Sequence, residues 1–290
     1  MSQSGDDTPE WAEIAEIQHI GARSSQQDHL VSAWLPGAAD DAAPRLLLVV
    51  ADGMGGHVAG DVASMTAVNA FMASAQANAH APSQEILNKA LQTASDALFE
   101  KAAAHPDFAS MGTTLVGMVI TERKQGFEYR MVSVGDSPLW HWHADRQQLE
   151  RANADHSLRG QLDEEVREGR ISPEEAVKDP RYGLSNVLAS ALTAEKGNTY
   201  DIDATHDAPC PVAPGDILLL ASDGLDTLEQ AALGDLLRIF CSCEARALSD
   251  LADELIRAVL DCGDPHQDNV SILMARMQGG KSKRGFLGLF

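Results

Sequence analysis

Four aspartates stand where an apolar run begins or ends beside a glycine or an amide. Asp52 follows LLLVVA and precedes Gly53, Asp136 follows VSVG, Asp223 follows ILLLAS and precedes Gly224, and Asp268 precedes Asn269 and the run VSILMA. A carboxylate at the end of a buried strand lies at the rim of a sheet, partly desolvated, and glycine lets the backbone turn sharply beside it. A single Asp-Gly pair is an ordinary turn. Four such strand ends imply convergence. Like charges gathered in a low dielectric raise one another's pKa unless a cation neutralises them. Few Lys or Arg lie near these positions in sequence, so a divalent metal is the natural counter-charge. All-oxygen ligation suits hard ions, Mg2+ or Mn2+. Two such ions roughly 3.5–4 Å apart can activate water and clamp a phosphoryl oxygen, the two-metal route to phosphate ester hydrolysis.

These acids need sheets to hold them. Strand-like runs fall at 46–51, 113–121, 127–134, 138–143, 217–221 and 270–275. Between the first two lie a helix over 58–77 and another over 83–104, whose Ile86, Leu87, Ala90, Leu91, Ala94 and Leu98 share one face behind Ser83 as N-cap. Residues 123–126 and 144–146 read as tight hairpin connections. Strand-helix alternation of a parallel doubly wound sheet is absent, and the pattern predicts antiparallel sheets with helices gathered outside. Residues 155–198 have too few apolar positions for a core of their own and read as a surface excursion, with short helices at 162–169 and, capped by Ser172, at 173–177. Helices over 227–239 and 244–260 separate the last two strands.

The chain has 290 residues, with 43 Asp plus Glu against 22 Lys plus Arg and a net charge of -21. That surplus argues against a nucleic-acid or anionic-membrane binder, whose affinity rests on clustered cations. With 44% hydrophobic and 22% charged residues the chain can build a packed core. Its acidic start shows no secretory pattern, and its longest apolar run, 46–51, is far short of a membrane span. Cys210, Cys241, Cys243 and Cys262 form no Cys-x-x-Cys pair. Cys241 and Cys243, in a helical stretch, are expected as buried reduced thiols. A cytoplasmic compartment follows as the expectation.

The segments VVADGMGGHVAGDVAS (49–64), MGTTLVG (111–117), VSVGDSPLW (132–140), ADHSL (154–158), ILLLASDGL (217–225) and DNVSIL (268–273), in that order, resemble bacterial members of the protein phosphatase 2C family of metal-dependent Ser/Thr phosphatases. The resemblance covers about 13–276. It implies an α+β fold, a four-layer αββα sandwich of two antiparallel sheets flanked by helix pairs with a flap insertion. The organisation it implies is a tail at 1–12, one catalytic domain at 13–277 with a flap at about 155–198, and a basic, then apolar tail at 278–290.

Carried over to this chain, the resemblance implies that Asp52 bridges two Mn2+ or Mg2+ ions and that the Gly53 carbonyl binds one of them. Asp223 and Asp268 complete the other, and Asp136 with Asp223 matches the place of a possible third ion. Arg23 in GARSSQQDHL matches the arginine that holds the substrate phosphate, where a planar fork suits two oxygens. Asp28 matches an acid that hydrogen-bonds metal waters. The implied reaction is in-line attack of a metal-bridging hydroxide on phosphoserine or phosphothreonine, without a phosphoenzyme. Implied partners are phosphorylated proteins, targets of a Ser/Thr kinase. The sequence departs from the family at Gln27, where many members have a glutamate ligand of the second metal, and at Met54, where some place a histidine. His57 is the nearest histidine: it could protonate the leaving alkoxide, a role that a metal-bound water could equally fill, or it could simply pack at a helix start.

Other patterns are weaker. DIDAT at 201–205 matches an aspartyl-nucleophile phosphatase pattern, but the polar AEKGNTY before it is not a buried strand. His141 and His143 in WHWH share one strand face, as some metal sites require, and a sheet face with Trp140 and Trp142 on the other side explains the spacing equally. Neither a Walker loop nor Gly-x-Ser-x-Gly is present. The tail KSKRGFLGLF reads as a disordered end or a docking segment. Two function classes remain: an active phosphatase, and a catalytically weak or silent phosphoprotein-binding module of the same fold.

Overall fold

A strand with no polar face must be covered on both sides, and this fixes the layering around residues 46–51. The computed structural model describes residues 9–38, 43–184, 187–195, 200–203, 209–243 and 246–279. The first strands are β1 (Ala12–His19), β2 (Asp28–Leu35) and β3 (Arg45–Met54). Along β3, Leu47, Val49 and Ala51 face a helix-covered cluster, whereas Leu46, Leu48 and Val50 face a second cluster between two sheets. The period-two geometry of a strand sends alternate residues into different layers.

Two long helices follow, α1 (His57–Ala77) and α2 (Ser83–Ala104). Ala63, Ala67, Phe71 and Ala75 of α1 join Ile86, Leu87, Ala90, Leu91, Ala94 and Leu98 of α2 on the outer face of β3. Truncating a buried ring such as Phe71 to Ala typically costs ~3–5 kcal/mol. The chain then forms β4 (Gly112–Thr113), β5 (Leu115–Glu122), β6 (Phe127–Val134), β7 (Leu139–His143) and β8 (Gln148–Arg151). Next come α3 (Leu158–Arg167), α4 (Pro173–Ala176), β9 (Leu192–Thr193), β10 (Cys210–Val212) and β11 (Ile217–Ala221). The last elements are α5 (Gln230–Ser242), α6 (Leu248–Asp261) and β12 (Val270–Met277).

Among the described residues one sheet has five strands in the order β1-β12-β11-β7-β8; the other has seven, β10-β6-β5-β3-β4-β9, with β2 also paired to β3. Every strand pairing is antiparallel. α5 and α6 cover the outer face of the five-stranded sheet through Leu233, Leu237, Phe240, Leu251 and Leu255, against Trp140, Trp142, Leu219 and Ile272. The molecule is thus an αββα sandwich, the architecture that the family resemblance implies, and its antiparallel sheets with helices outside agree with the pattern of strands and helices. Among the described residues no helix is long and apolar enough to cross a membrane.

Local expectations shift in places. Pro82, not Ser83, holds the N-cap position of α2, and the Ser83 hydroxyl accepts from Arg45 Nη1 at 3.2 Å. α3 starts at Leu158 rather than 162, because Ser157 Oγ accepts from the Gly160 N–H and closes an earlier cap. Ser172 does cap α4, in a capping box with Glu175. The helix expected from 227 starts at Gln230, since Asp223–Thr227 form a 3-10 turn. The helix expected from 244 starts at Leu248, and residues 244–245 lie outside the described residues. Cys241 and Cys243 are exposed rather than buried, because α5 turns Leu233, Leu237 and Phe240 inward; all four cysteines are free. β1, β2, β8, β9 and β10 have no counterpart among the expected strands.

The end of β3 is pressed against the first turn of α1. A Cβ on Gly53 would lie 2.0 Å from the Gly60 carbonyl oxygen, and one on Gly60 would lie 2.0 Å from Gln27 Nε2. Gly53→Ala is therefore expected to cost about 1–3 kcal/mol through backbone displacement, read as a lower melting temperature of the metal-free protein. An unchanged melting temperature would show that this strand end has room to spare.

Candidate active site

The sandwich brings the sequence-predicted acids to one end of both sheets. Asp52 sits near the end of β3 directly opposite Asp28, the first residue of β2. Its backbone is clamped: Asp52 N–H donates to Thr114 Oγ1 at 2.9 Å, and its carbonyl accepts from Thr114 N–H at 2.9 Å and Thr113 Oγ1 at 2.8 Å. This is why the strand expected over 113–121 breaks at Thr114. From the other sheet, Asp223 follows β11 in the 3-10 turn and Asp268 precedes β12. Asp136 precedes β7, after Gly135 at φ 105°, where a Cβ would lie 2.6 Å from Thr114 Cγ2.

Asp28 ties the sheets together. Its Oδ2 accepts from Ser222 Oγ at 2.7 Å and Ser271 Oγ at 2.8 Å, both from the opposite sheet. Its Oδ1 is buried and has no hydrogen-bond partner, and Asp223 Oδ1 is in the same condition. Asn269 holds the loop that carries Arg23 and Gln27: its Oδ1 accepts from Gln27 N–H at 2.8 Å, and its Nδ2 donates to the carbonyls of Ile20 at 2.8 Å and Ser25 at 3.1 Å. Gln27 Nε2 donates to the Gly56 carbonyl at 3.3 Å.

Arg23, Gln27, Asp52, Gly53, Asp136, Asp223 and Asp268 all line one cleft of about 540 Å³. Asp28 lies behind it, 1% exposed. Arg23 Nη2 donates to Asp268 Oδ2 across the cleft mouth. Val187 and Leu188 form an apolar part of the lining. They belong to the excursion, which is pinned here by a Ser157–Leu188 bridge and by Ala189 N–H donating to the His156 carbonyl at 2.8 Å. The His57 side chain, residues 185–186 and 196–199, and 204–205 of DIDAT lie outside the described residues. Asp203 of DIDAT pairs with Ser133 away from this lining. A wider groove of about 1230 Å³, between Arg45, Thr121 and Arg130, contains none of these acids, so chemistry rather than size selects the site.

Electrostatics also set this cleft apart. Burial pushes Asp52 well above the ordinary carboxylate range, and the charges of Asp28, Asp223, Asp136 and Asp268 push it further. Asp136 is pushed up to about 8, first by burial and then by Asp223 and Asp155. Asp28 is pushed up to about 6 by burial, against the two serine hydrogen bonds. Asp223 is raised by burial and then by Asp268, while a hydrogen bond from the Asp52 carboxyl opposes the shift. Acids that are so costly to ionise, with orphaned oxygens among them, fit the donor set that a hard dication takes. Sequence reasoning missed three residues here. Arg151 Nη2 donates to the Asp136 carbonyl at 2.5 Å and Nη1 to Asp155 Oδ2 at 3.1 Å. Asp226, pushed up to about 6 by burial, lies in the same field. Asp155 stands in the quoted motif ADHSL and Asp226 directly follows ILLLASDGL, but strand-end placement does not mark them.

An αββα sandwich with converging acids at one end of both sheets defines a metal-dependent phosphohydrolase architecture. Residues 17–261 match the family model described as Protein phosphatase 2C, and the chain belongs to that family. It is 32% identical over 243 residues to the Serine/threonine phosphatase stp of Listeria innocua serovar 6a, covering 81% of this chain and 87% of that one. The crystal structure of the Mycobacterium tuberculosis serine/threonine phosphatase PstP/Ppp superposes with a TM-score of 0.68 at 27% identity, covering 92% of this chain and 99% of that one. The catalytic domain of PstP in complex with two manganese ions superposes equally well, with a TM-score of 0.68 at 26% identity and the same coverage, 92% and 99%.

Proposed function

We propose that this cleft hydrolyses phosphoserine and phosphothreonine esters of proteins, as a metal-dependent protein phosphatase. The observation that carries the reading is the gathering of Asp28, Asp52, Asp136 and Asp223 from both sheets at one point, Asp28 and Asp223 each with a partnerless carboxylate oxygen, beside Asp268 and an exposed arginine. Asp52, the Gly53 carbonyl, Asp223 and Asp268 would hold two Mn2+ or Mg2+ ions, with Gln27 and Asp28 at their margin. Asp136 beside Asp223 would hold a third. Bound dications supply Lewis-acid polarisation of phosphoryl oxygens and a water of lowered pKa.

The chain's own side chains supply position. Arg23 leaves the Asp268 carboxylate to place two guanidinium N–H groups on the substrate phosphate, a fork that a lysine does not reproduce. Asn269 fixes the loop from which Arg23 reaches. Asp28, locked by Ser222 and Ser271, keeps one oxygen free for a water. Val187 and Leu188 give the entering peptide an apolar wall. Arg23→Ala is expected to lower kcat/KM by about 10–100-fold, mostly through KM, while Mn2+ binding is kept.

The deciding assay uses p-nitrophenyl phosphate and a phosphothreonine peptide with Mn2+, with and without chelator. Metal-dependent turnover supports the reading, and its absence in the native protein overturns it. Gln27 favours the second reading, a weak or silent phosphoprotein-binding module, because its amide oxygen is an uncharged and weaker ligand than a carboxylate. Tight capture of the phosphopeptide without turnover would select that reading. The catalytic unit would be 13–277, working in the cytoplasm against a Ser/Thr kinase. Residues 280–290 lie outside the described residues; deleting 279–290 and reading localisation tests the proposed docking role of the tail.

A further inference from the structure

A second group of ligand-type side chains lies at the other end of the sandwich. His141 and His143 alternate along β7 with Trp140 and Trp142, which pack under α5 and α6. Both imidazoles therefore project from the opposite face, with ring centroids 3.8 Å apart. Asp216 stands just before β11, and its Oδ2 lies 3.0 Å from His141 Nε2. One ligand atom from each of His141, His143 and Asp216 falls within 4.8 Å of the others. Glu150, opposite His141 on β8, brings its Oε2 to 3.4 Å from His143 Nε2.

This set is separate from the catalytic acids. Asp136 precedes β7 and Asp223 follows β11, whereas His143 ends β7 and Asp216 precedes β11. The five-residue length of each strand keeps the two groups about 15 Å or more apart, at ~3.3 Å rise per residue.

The chemistry also differs. Two imidazole nitrogens and one or two carboxylates suit a borderline dication of the zinc class, whereas the all-oxygen cleft suits Mn2+ or Mg2+. The Asp216 carboxylate is held by the backbone: Oδ1 accepts from Ala144 N–H at 2.9 Å and Oδ2 from Ala213 N–H at 2.9 Å. Hydrogen bonds of this kind orient ligating carboxylates. A surface cleft of about 480 Å³ lined by His143 and Asp216 opens to solvent and gives an ion a way in. A plain structural pin needs only the His141–Asp216 hydrogen bond. It does not account for a ligand atom of His143 lying within 4.8 Å of those of His141 and Asp216.

We propose that His141, His143 and Asp216, with Glu150 as a fourth ligand, form a zinc-class site distinct from the catalytic centre. Ligation through His141 Nε2 needs the neutral tautomer with its proton on Nδ1, so the Nε2–Asp216 hydrogen bond gives way to two ligand bonds and no proton leaves the pair. The site stands whether or not the phosphatase reading holds, because its readout is zinc bound rather than turnover.

The test is calorimetric titration of Zn2+ into the full chain with Mg2+ saturating, for wild type, His143→Ala and Glu150→Gln, each checked for folding by circular dichroism. The wild type is expected to bind one zinc more tightly than His143→Ala by about 100-fold or more, with about a tenfold loss in Glu150→Gln. Zinc that remains in His143→Ala belongs to the catalytic acids. If His143→Ala does not fold, His143→Gln takes its place. Equal zinc stoichiometry and affinity in wild type and the His143 variant would overturn the site and leave a hydrogen-bonded pin.

Discussion

Asp52→Asn is expected to abolish turnover while making the metal-free protein more stable. Asp52 is the hub of the cleft, buried and facing the charges of Asp28, Asp223, Asp136 and Asp268. With dications bound, that carboxylate would be the shared anionic ligand. An amide in its place keeps the shape but gives up the charge. Turnover should fall on the order of 10³-fold or more, the scale of losing one preorganised electrostatic contact or a metal that activates water. Without metal the effect reverses. At neutral pH the unfolded carboxyl ionises freely, whereas the folded one is held back by burial, so folding gives up that ionisation energy. Asparagine has none to give up, and its N–H groups can donate to Asp223 as the protonated carboxyl does. The chelated variant should melt on the order of 5 °C above chelated wild type, the size of a ~2 kcal/mol effect. Mn2+ should raise the melting temperature of wild type and leave that of the variant nearly unchanged. Mn2+-dependent turnover within tenfold of wild type would refute the assignment of Asp52 as the shared ligand.

The hub was legible before any coordinates because chemistry and local pattern coincide there. LLLVVA is buried on both faces wherever it sits, so the acid that ends it is forced to a sheet rim beside Gly53. The same logic located Asp223 after ILLLA and Asp268 before VSILMA. β1 illustrates what is not legible. AEIAEIQH alternates acids with apolar residues, only Ala15 is fully buried, and nothing local distinguishes it from a helix. Its strand state comes from the eight-residue register with β12, from Ala12↔Met277 to His19↔Val270, a contact between opposite ends of the chain. Asp28 was marked through the family resemblance, but its partners Ser222 and Ser271 were not, because serine hydroxyls become informative only once two sheets meet. Ser83 misled for a related reason. A capping serine and a serine that accepts from a buried arginine look alike in sequence, and Arg45 decided between them from 38 residues away.

Stripped of metal, the protein is expected to lose stability as pH rises from about 6.5 to 8.5. Folded Asp136 titrates at about 8, Asp28 and Asp226 at about 6, and Asp52 and Asp223 are also raised, against an unfolded value of 3.8. Between the unfolded and folded values the native state holds the extra protons, so stability is greatest at the acid side of the window and falls as pH climbs through the folded pKa. Histidines act in the opposite sense. His29, His143 and His156 are all lowered by burial, so their contribution grows as pH rises toward 6.5 and is complete above it. The slope from 6.5 upward therefore belongs to the acids, with Asp136 prominent. Metal competes with these same protons, so the melting shift caused by Mn2+ should widen as pH rises. Melting curves at several pH values, with chelator and with Mn2+, read both trends, and Asp136→Asn should flatten the chelated slope. A chelated melting temperature that rises over this interval, or a Mn2+ shift that narrows, would mean that the acids are not buried together as a protonated cluster waiting for a cation.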